Sequence, residues 1–275
     1  MPKPPYTLQL TNGFFADFTQ LARILDFAIQ HQGQGRIPAE AYQIGLGLSE
    51  RKSKSLNALA GAFMLVKPVV LTPTDLGKLT HRYNPYLDAI GTLWLLHDII
   101  SSDERYVIWN RLVNQVIPEN TRISTAIARP YFDDLAAYYS ESTMDNNVGG
   151  EIGAVWNAYT EQAFAHLDYL RAESDQIYVR GYGVAVPPLI FLAAVLIYRE
   201  RYAPNAATID IPTLASAPNS PGRVFGLNQR QVRDLLDKVQ GRGSIYVESR
   251  ADLDQVRFRD DLGFIDAVGR YYEER

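Results

Sequence analysis

The residues best suited to hold a charged ligand in this sequence are three closely spaced cations, Arg51, Lys52 and Lys54. Small polar side chains alternate with them, and the whole set is Ser49, Arg51, Lys52, Ser53, Lys54, Ser55 and Asn57. Lys and Arg neutralise phosphate charge, whereas Ser and Asn can form hydrogen bonds with base edges. The cluster therefore predicts contact with nucleic acid. A solvated basic surface without a ligand is the alternative.

A helix is the element that would position these side chains. Ser49 is a good N-cap residue, and Glu50 suits the first turn of a helix. Apolar side chains then recur at helical spacing: Leu56, Leu59, Ala60, Phe63 and Met64. The cations, together with Ser55 and Asn57, are expected on or near the opposite face.

The elements around this helix follow the order of a winged helix-turn-helix. Apolar spacing predicts helices over residues 18–32 and 38–44, and β-prone segments over residues 69–72 and 76–79 would form the wing. Three further candidate contacts lie in or just after that wing: Lys78, His81 and Arg82. We therefore predict a winged helix-turn-helix domain over residues 1–84. Winged helices also serve in protein contacts, so the fold alone does not establish DNA binding.

Charge is distributed unevenly along the chain. Residues 1–84 carry nine Lys or Arg and five Asp or Glu, whereas residues 85–217 carry eight and sixteen. The whole chain of 275 residues has a formal net charge of −4. A basic segment joined to an acidic one is typical of a DNA-binding module attached to a surface that could dock protein subunits. Chance distribution of solvated charge is the plain alternative.

The rest of the chain is predicted to be mainly helical, which makes the expected fold class mainly α. An acidic helical domain is expected over residues 85–176, with a helix ended by Pro118, a loop over residues 143–150 and a helix over residues 152–171. A third domain is expected over residues 177–275.

This third domain also suggests a winged-helix-like unit. Short β-prone segments over residues 177–179 and 184–186 bracket a Gly-Tyr-Gly turn. A helix over residues 227–239 would place Arg230 and Arg233 outward, and a hairpin follows it. Helix, short helix, helix and hairpin is again the winged-helix order, so these two arginines would share the DNA contact.

No catalytic or metal-binding pattern stands out in the sequence. It contains no HExxH, P-loop or GxSxG motif, and it has no cysteine. The four histidines, His31, His81, His97 and His166, are too far apart to form a local metal site. His97 beside Asp98 is better explained as a buried or interfacial histidine than as a general base. We therefore expect a non-catalytic protein without a metal or cofactor.

Composition also favours a cytoplasmic protein. The N-terminus has no apolar leader segment, and the absence of cysteine suits a reducing compartment. The longest apolar run, residues 184–198, is shorter than the roughly 20 residues that a membrane helix needs. No membrane partner is expected.

Two stretches resemble a bacterial domain-of-unknown-function family found beside DNA-phosphorothioation and other phage-defence genes. The first reads PYLD and then GTLWLLH over residues 85–97, and the second reads SPGRVFGL over residues 220–227. There is also a looser similarity to helical accessory proteins of BREX antiviral defence. Members of the family open the third helix with Gly-Lys, where this chain has Ser-Glu-Arg-Lys. The resemblance implies a defence-linked, DNA-associated protein without known catalytic residues.

These observations predict a DNA-binding accessory protein of a bacterial DNA-modification or antiphage system. Its contacts with double-stranded DNA are expected to be mainly with the backbone, because the first domain carries only a modest positive charge. Two alternatives remain open. The protein could regulate transcription of its own gene cluster, which would require a dimer, or it could dock other defence subunits through the acidic helical domain.

Overall fold

The fold is taken from a computed structural model, which describes residues 5–35, 37–242, 244–250, 253–259 and 261–275. Helices hold 58% of the chain and the sheets are small, which confirms the mainly α class. In the described ranges no helix is both long enough and apolar enough to cross a lipid bilayer.

The chain divides into two compact units. The first contains residues 1–93 and 103–184, and the second contains residues 94–102 and 185–275. This division does not test whether residues 1–84, 85–176 or 177–275 form separate domains, so that three-part division stays a prediction.

The first unit begins with three helices and a short hairpin. Its first elements are α1 (Phe18–Gln30), α2 (Ala39–Leu46), α3 (Glu50–Ala62), β1 (Val66–Lys67), β2 (Thr72–Pro73) and α4 (Asp75–Tyr83). Asp17 caps α1 and Ser49 caps α3, each by accepting a backbone N–H three residues further on. The predicted helices and the capping role of Ser49 are therefore confirmed.

The predicted second strand of the wing is wrong, because residues 76–79 lie inside α4. Thr74 begins this helix: its hydroxyl accepts the N–H of Gly77 at 2.9 Å, and Asp75 occupies the first turn. The hairpin is formed instead by β1 and β2, with Val66 opposite Pro73. The capping signal at Thr74 outweighs the β-prone appearance of the residues after it.

The remainder of the first unit is helical apart from one hairpin. Its elements are the start of α5 (Ile90–Ser101), then α6 (Val107–Arg111), α7 (Ile117–Glu119), α8 (Thr125–Ala128), α9 (Glu141–Thr160), β3 (Leu170–Ser174) and β4 (Ile177–Arg180). A π-helical turn, Leu112–Val116, joins α6 to α7, and 3₁₀ segments follow α8 and α9. Pro118 lies within α7, so the prediction that it ends a helix is wrong.

Residues 143–150 were predicted as a loop, and they lie in α9 instead. Ser140 caps the helix, and Met144, Val148 and Ile152 bury one face of it at a spacing of four residues. Burying three large apolar side chains offsets the cost of about 1 kcal/mol for each helical glycine. The helix predicted over residues 152–171 ends at Thr160, and its last two residues belong to β3.

A further correction concerns the hairpin around the Gly-Tyr-Gly turn. β4 pairs antiparallel with β3, which precedes it, and not with residues 184–186. In this pairing Leu170 lies opposite Arg180.

Aromatic side chains form the centre of the first unit. Phe18 and Phe164 have ring centroids 4.8 Å apart, and Phe164 and Tyr159 have centroids 5.2 Å apart. Trp109 donates its indole N–H to the Tyr159 hydroxyl at 3.0 Å, which satisfies a polar group that burial would otherwise leave unpaired. These rings come from α1, α6, α9 and the 3₁₀ segment after α9.

Glu151 ties the N-terminal segment to α9. Its carboxylate is 3% exposed and accepts the backbone N–H of Thr11 at 3.0 Å and that of Asn12 at 2.7 Å. Burial raises the pKa of this carboxyl, while these N–H groups act in the opposite direction. Ser55 on α3 also donates its hydroxyl to the Thr11 carbonyl at 2.5 Å. The segment before α1 is therefore bonded to two helices.

The second unit combines helices with a three-stranded sheet. After the rest of α5 its elements are α10 (Pro188–Tyr202), β5 (Thr208–Asp210), α11 (Ile211–Ser216), α12 (Pro221–Phe225), α13 (Gln229–Gln240), β6 (Ile245–Arg250), β7 (Leu253–Phe258) and α14 (Phe264–Glu273). The strand order is β5-β7-β6, and both pairings are antiparallel. The predicted helix and the hairpin that follows it are confirmed, with Val247 opposite Val256.

Residues 220–227 connect α11 to α13 and contain the short helix α12. Ser220 caps α12, and Gly226 ends it with a φ of 68°, a conformation that favours glycine. A Cβ atom on Gly222 would lie 2.5 Å from the Cα of Ala215, so only glycine allows α12 to approach α11 this closely. The glycines of this stretch therefore have structural roles.

Candidate nucleic-acid interface

Arg51 lies on the surface of α3 and is held by the segment before α1. Its guanidinium donates to the Asn12 carbonyl at 3.1 Å and lies 5.5 Å from the centre of the Phe14 ring. Both contacts leave the side chain exposed. A phosphate could therefore bind the guanidinium without displacing a buried partner.

The two lysines of this helix are in ion pairs. Lys52 lies 3.6 Å from Asp17, and Lys54 lies 2.5 Å from Glu50 one turn earlier. The hydrogen bond and the charge of Lys54 lower the pKa of the Glu50 carboxyl. Pairs exposed in this way add little to stability, because water screens them, so they could be exchanged for contacts with phosphate. They nevertheless reduce the positive charge that the sequence predicted for this turn.

Three polar residues of α3 that were predicted to reach base edges are buried: Ser53, Ser55 and Asn57. Each donates to a backbone carbonyl: Ser53 to Glu50 at 2.9 Å, Ser55 to Thr11 and Asn57 to Pro68 at 2.9 Å. Their predicted position on the exposed face is therefore wrong. Ser55 fixes α3 to the N-terminal segment and Asn57 fixes it to the β1–β2 turn, whereas Ser53 bonds within α3. Burial keeps all three side chains from a ligand.

The three candidates expected on the wing belong to α4: Lys78, His81 and Arg82. Lys78 lies 3.4 Å from Asp75, His81 lies 2.9 Å from Asp26, and Arg82 lies 5.2 Å from the centre of the Tyr83 ring. These three residues are therefore on a helix and not on the β1–β2 hairpin.

Lys67 was missed as a candidate. It is exposed at the end of β1, and within the described part of the chain it holds no ion pair. The sequence gives no signal for it, because a lone lysine becomes notable only once the hairpin is located.

The first turn of α13 offers a more open cation. Asn228 and Gln231 form a capping box, each accepting the backbone N–H of the other at 2.9 Å. Arg230 lies between them, fully on the exposed side, and among the described residues it has no ion-pair or hydrogen-bond partner. Arg230 is therefore free to bind an anion, at the end of a helix where backbone N–H groups also favour negative charge.

Arg233 was predicted beside Arg230, but its guanidinium is engaged within the protein. It pairs with Asp237 one turn later at 3.2 Å, and it also pairs with Asp254 on β7. It donates to the Ser249 hydroxyl on β6 at 2.8 Å as well. Arg233 therefore links α13 to the β6–β7 hairpin and fixes the position of the hairpin relative to the helix.

His97 is buried in the second unit, as predicted. Its Nε2 lies 3.0 Å from the Val224 carbonyl, and burial lowers the pKa of the imidazole to about 4. The ring is therefore neutral at pH 7 and donates to this carbonyl. For its neighbour Asp98, burial raises the pKa to about 7, and the positive charge of Arg201 acts in the opposite direction. In the residues that the structure describes, no three His, Asp or Glu side chains come together as metal ligands.

Two solved structures have a fold similar to that of this chain. A crystal structure of magnesium ion-bound SspB matches with a TM-score of 0.78 and 17% sequence identity, covering 96% of this chain and 86% of that one. A second SspB crystal structure matches with a TM-score of 0.77 at the same identity and coverage. At this identity the likeness establishes a shared fold. Among curated proteins, none matches the sequence.

A family model, described as a protein of unknown function (DUF4007), matches residues 53–272. The match begins inside α3 and continues into α14, so it includes both stretches on which the sequence resemblance was based. The expected membership of a domain-of-unknown-function family is thus confirmed. The chain belongs to the DUF4007 family.

Proposed function

We propose that this protein is an accessory component of a bacterial DNA-phosphorothioation system and that it binds duplex DNA mainly through the phosphate backbone. The observation that carries the proposal is the exposed Arg230 at the start of α13, which has no ion-pair or hydrogen-bond partner among the residues that the structure describes. The system is suggested by the sequence resemblance to a family found beside DNA-phosphorothioation genes, and the fold is similar to that of SspB.

The arrangement of the second unit supports a winged-helix function for α13. A strand, two short helices, a longer helix and a hairpin follow one another, and β7 lies between β5 and β6. Winged helices have this element order and this sheet order. In helix-turn-helix proteins the helix at the position of α13 presents its N-terminal residues to the major groove.

The charges along α13 favour contact by its first turn. Arg230 is the exposed cation there, and the adjacent Gln229 is also exposed. Asp234 and Asp237 are exposed further along, and their carboxylates would face phosphates if the helix entered the groove deeply. We therefore propose a shallow contact in which Arg230 and the helix N-terminus hold phosphate, with little reading of base sequence.

Reversing the charge of Arg230 is expected to weaken duplex binding about tenfold or more, because Arg230→Glu places a carboxylate where phosphate would bind. Fluorescence anisotropy with a 20-base-pair duplex at rising salt measures this. The wild-type protein should lose affinity steeply with salt, and the variant should show a shallower slope.

Lys238→Glu is the matched control. Lys238 is likewise exposed and without an ion pair among the described residues, and the charge change is the same. It lies eight positions further along α13, about 12 Å along the axis, at the end that would point away from the DNA. Equal losses for the two variants would contradict a contact made by the first turn.

The double substitution Lys52→Glu and Lys54→Glu tests whether α3 contributes as well. Since both lysines already pair with carboxylates, we expect a smaller loss than for Arg230→Glu, about two- to fivefold. The same anisotropy titration at low salt measures it. Complete loss of binding in this variant alone would move the principal DNA contact to the first unit.

We also propose that the bound DNA is not altered chemically. Because one of the similar structures contains magnesium, the test should include this ion. An end-labelled duplex is incubated with the protein with and without Mg²⁺ and is then analysed on a denaturing gel. Strands of unchanged length agree with an accessory role, and a new, protein-dependent fragment would show that the protein is an enzyme.

A scaffold is the second candidate, supported by the excess of eight acidic charges over residues 85–217. The exposed carboxylates of this stretch would attract basic regions of partner subunits, and this attraction would weaken with salt. Copurification of a partner subunit that survives nuclease treatment would favour this function over DNA binding.

A further inference from the structure

Tyr182 is the most exposed large hydrophobic side chain among the described residues, at 90% of its full accessible area. It occupies the middle of the Gly-Tyr-Gly turn that follows β4. An aromatic ring left in water contributes little to folding, since apolar burial is what stabilises a fold. We therefore ask whether this ring binds a ligand.

The turn that carries Tyr182 is firmly held. Gly181 donates its N–H to the Tyr169 carbonyl, and Gly183 donates to the Asp168 carbonyl, both at 2.9 Å. Val184 donates in the same way to Leu167. Tyr182 is thus bracketed on both sides by backbone hydrogen bonds to one segment.

Both glycines are required by this geometry. A Cβ atom on Gly181 would lie 1.9 Å from the Asp168 carbonyl oxygen, and Gly183 has a φ of +73°. The ring is therefore presented by a turn with little freedom, which reduces the entropy that a partner would have to remove on binding.

Arg171 on β3 supports one face of the ring. Its guanidinium carbon lies 4.5 Å from the centroid of Tyr182, which is a cation–π contact. Asp168 holds the guanidinium through two hydrogen bonds, from Nε at 2.5 Å and from Nη2 at 2.6 Å. Because Tyr182 is still 90% exposed, the other face of the ring is open to solvent.

We propose that the open face of Tyr182 stacks on an unpaired base of DNA, an inference that rests on the proposed DNA-binding function. Proteins that hold single strands stack bases on exposed aromatic side chains, with cation–π contributions from arginine, and Tyr182 with Arg171 is an aromatic platform of this kind. Within a duplex the base faces are covered by neighbouring bases, so only an unpaired or flipped base could stack here.

Two carboxylates close to this turn are in ion pairs. Asp168 is neutralised by Arg171, and Glu173 pairs with Arg122 at 2.5 Å. The carboxylates with ion pairs would therefore repel a phosphate only weakly. Asp175, in the turn between β3 and β4, is exposed as well and is the acidic charge that a phosphate would meet there.

The test compares a fully paired duplex with the same duplex carrying one unpaired 2-aminopurine. The wild-type protein should bind the second DNA about tenfold more tightly and should quench the 2-aminopurine fluorescence. Tyr182→Ala should lose both effects, whereas Tyr182→Trp should keep them. Because the side chain is exposed, circular dichroism and the melting temperature should be unchanged in both variants.

Three results would overturn the inference: equal affinity of the wild-type protein for the two DNAs, a preference that survives Tyr182→Ala, or absence of quenching. If the duplex still binds through Arg230 in that case, only the stacking inference fails. If instead the DNA with the unpaired base binds through Tyr182 and the paired duplex does not bind, only the proposed duplex function fails.

Discussion

Gly77→Ala is expected to destabilise the first unit by about 3 kcal/mol or more, because the added methyl group meets backbone. Its Cβ atom would lie 2.0 Å from the Leu65 carbonyl oxygen and 3.1 Å from the Leu25 Cδ1 atom. The Leu65 carbonyl also accepts the Thr74 N–H at 3.1 Å, so it cannot move without loosening the start of α4. Urea unfolding followed by circular dichroism measures the loss.

Gly150→Ala provides a control of the same chemistry in the same unit. Gly150 is exposed in α9, and a Cβ atom there would meet nothing within 4 Å. Alanine at this position should stabilise the protein by about 0.5–1 kcal/mol, since it reduces the freedom of the unfolded chain. Similar changes in stability for the two substitutions would contradict the close approach of Gly77 on α4 to the Leu65 carbonyl.

Asp98→Asn is expected to change how stability depends on pH. Between about pH 4.5 and 6 the unfolded chain would carry its proton on His97, while the folded protein would carry it on Asp98. In the folded protein the pKa of His97 is lowered to about 4 and that of Asp98 is raised to about 7. The two groups therefore change the stability with pH in opposite directions. In the wild-type protein these two groups together should make stability nearly independent of pH in this window.

The variant removes only the Asp98 contribution. A raised carboxyl pKa contributes stability that is present at low pH and is lost as pH rises through about 7, whereas the lowered pKa of His97 contributes stability that is lost as pH falls towards 4. Asp98→Asn should therefore lose about 1 kcal/mol of stability per pH unit, relative to the wild-type protein, as pH falls from 6 to 4.5. Urea unfolding at four pH values measures this slope. A constant difference between the two proteins would show that Asp98 is ionised in the fold throughout.

Local signals in the sequence were sufficient for several helices. Ser49 and the apolar spacing after it determine α3, and the spacing of Val232, Leu235, Leu236 and Val239 determines the buried face of α13. These signals act within one or two turns of a helix, and the same physics operates in the fold. The β6–β7 hairpin was predictable for a similar reason, because its strands are close in sequence.

Contacts between distant parts of the chain could not be predicted. Ser55 and Asn57 look like surface residues, but each has a carbonyl partner in a different segment, at Thr11 and at Pro68. Arg233 looks like a free cation until β7 brings Asp254 beside it. In each case a side chain that the sequence suggests for ligand binding is bonded to another part of the protein instead. That Arg230 has no such partner in the described part of the chain could be recognised only from the fold.

The hydrogen bonds of Glu151 have a practical consequence for anyone who trims this chain. The DUF4007 match starts at residue 53, and a shortened protein cut there would begin inside α3 and would lack α1 entirely. Glu151 would lose the Thr11 and Asn12 donors that satisfy it, and α3 would lose its cap at Ser49. The region that the family model matches thus leaves out partners that satisfy Glu151 and cap α3, at Thr11, Asn12 and Ser49.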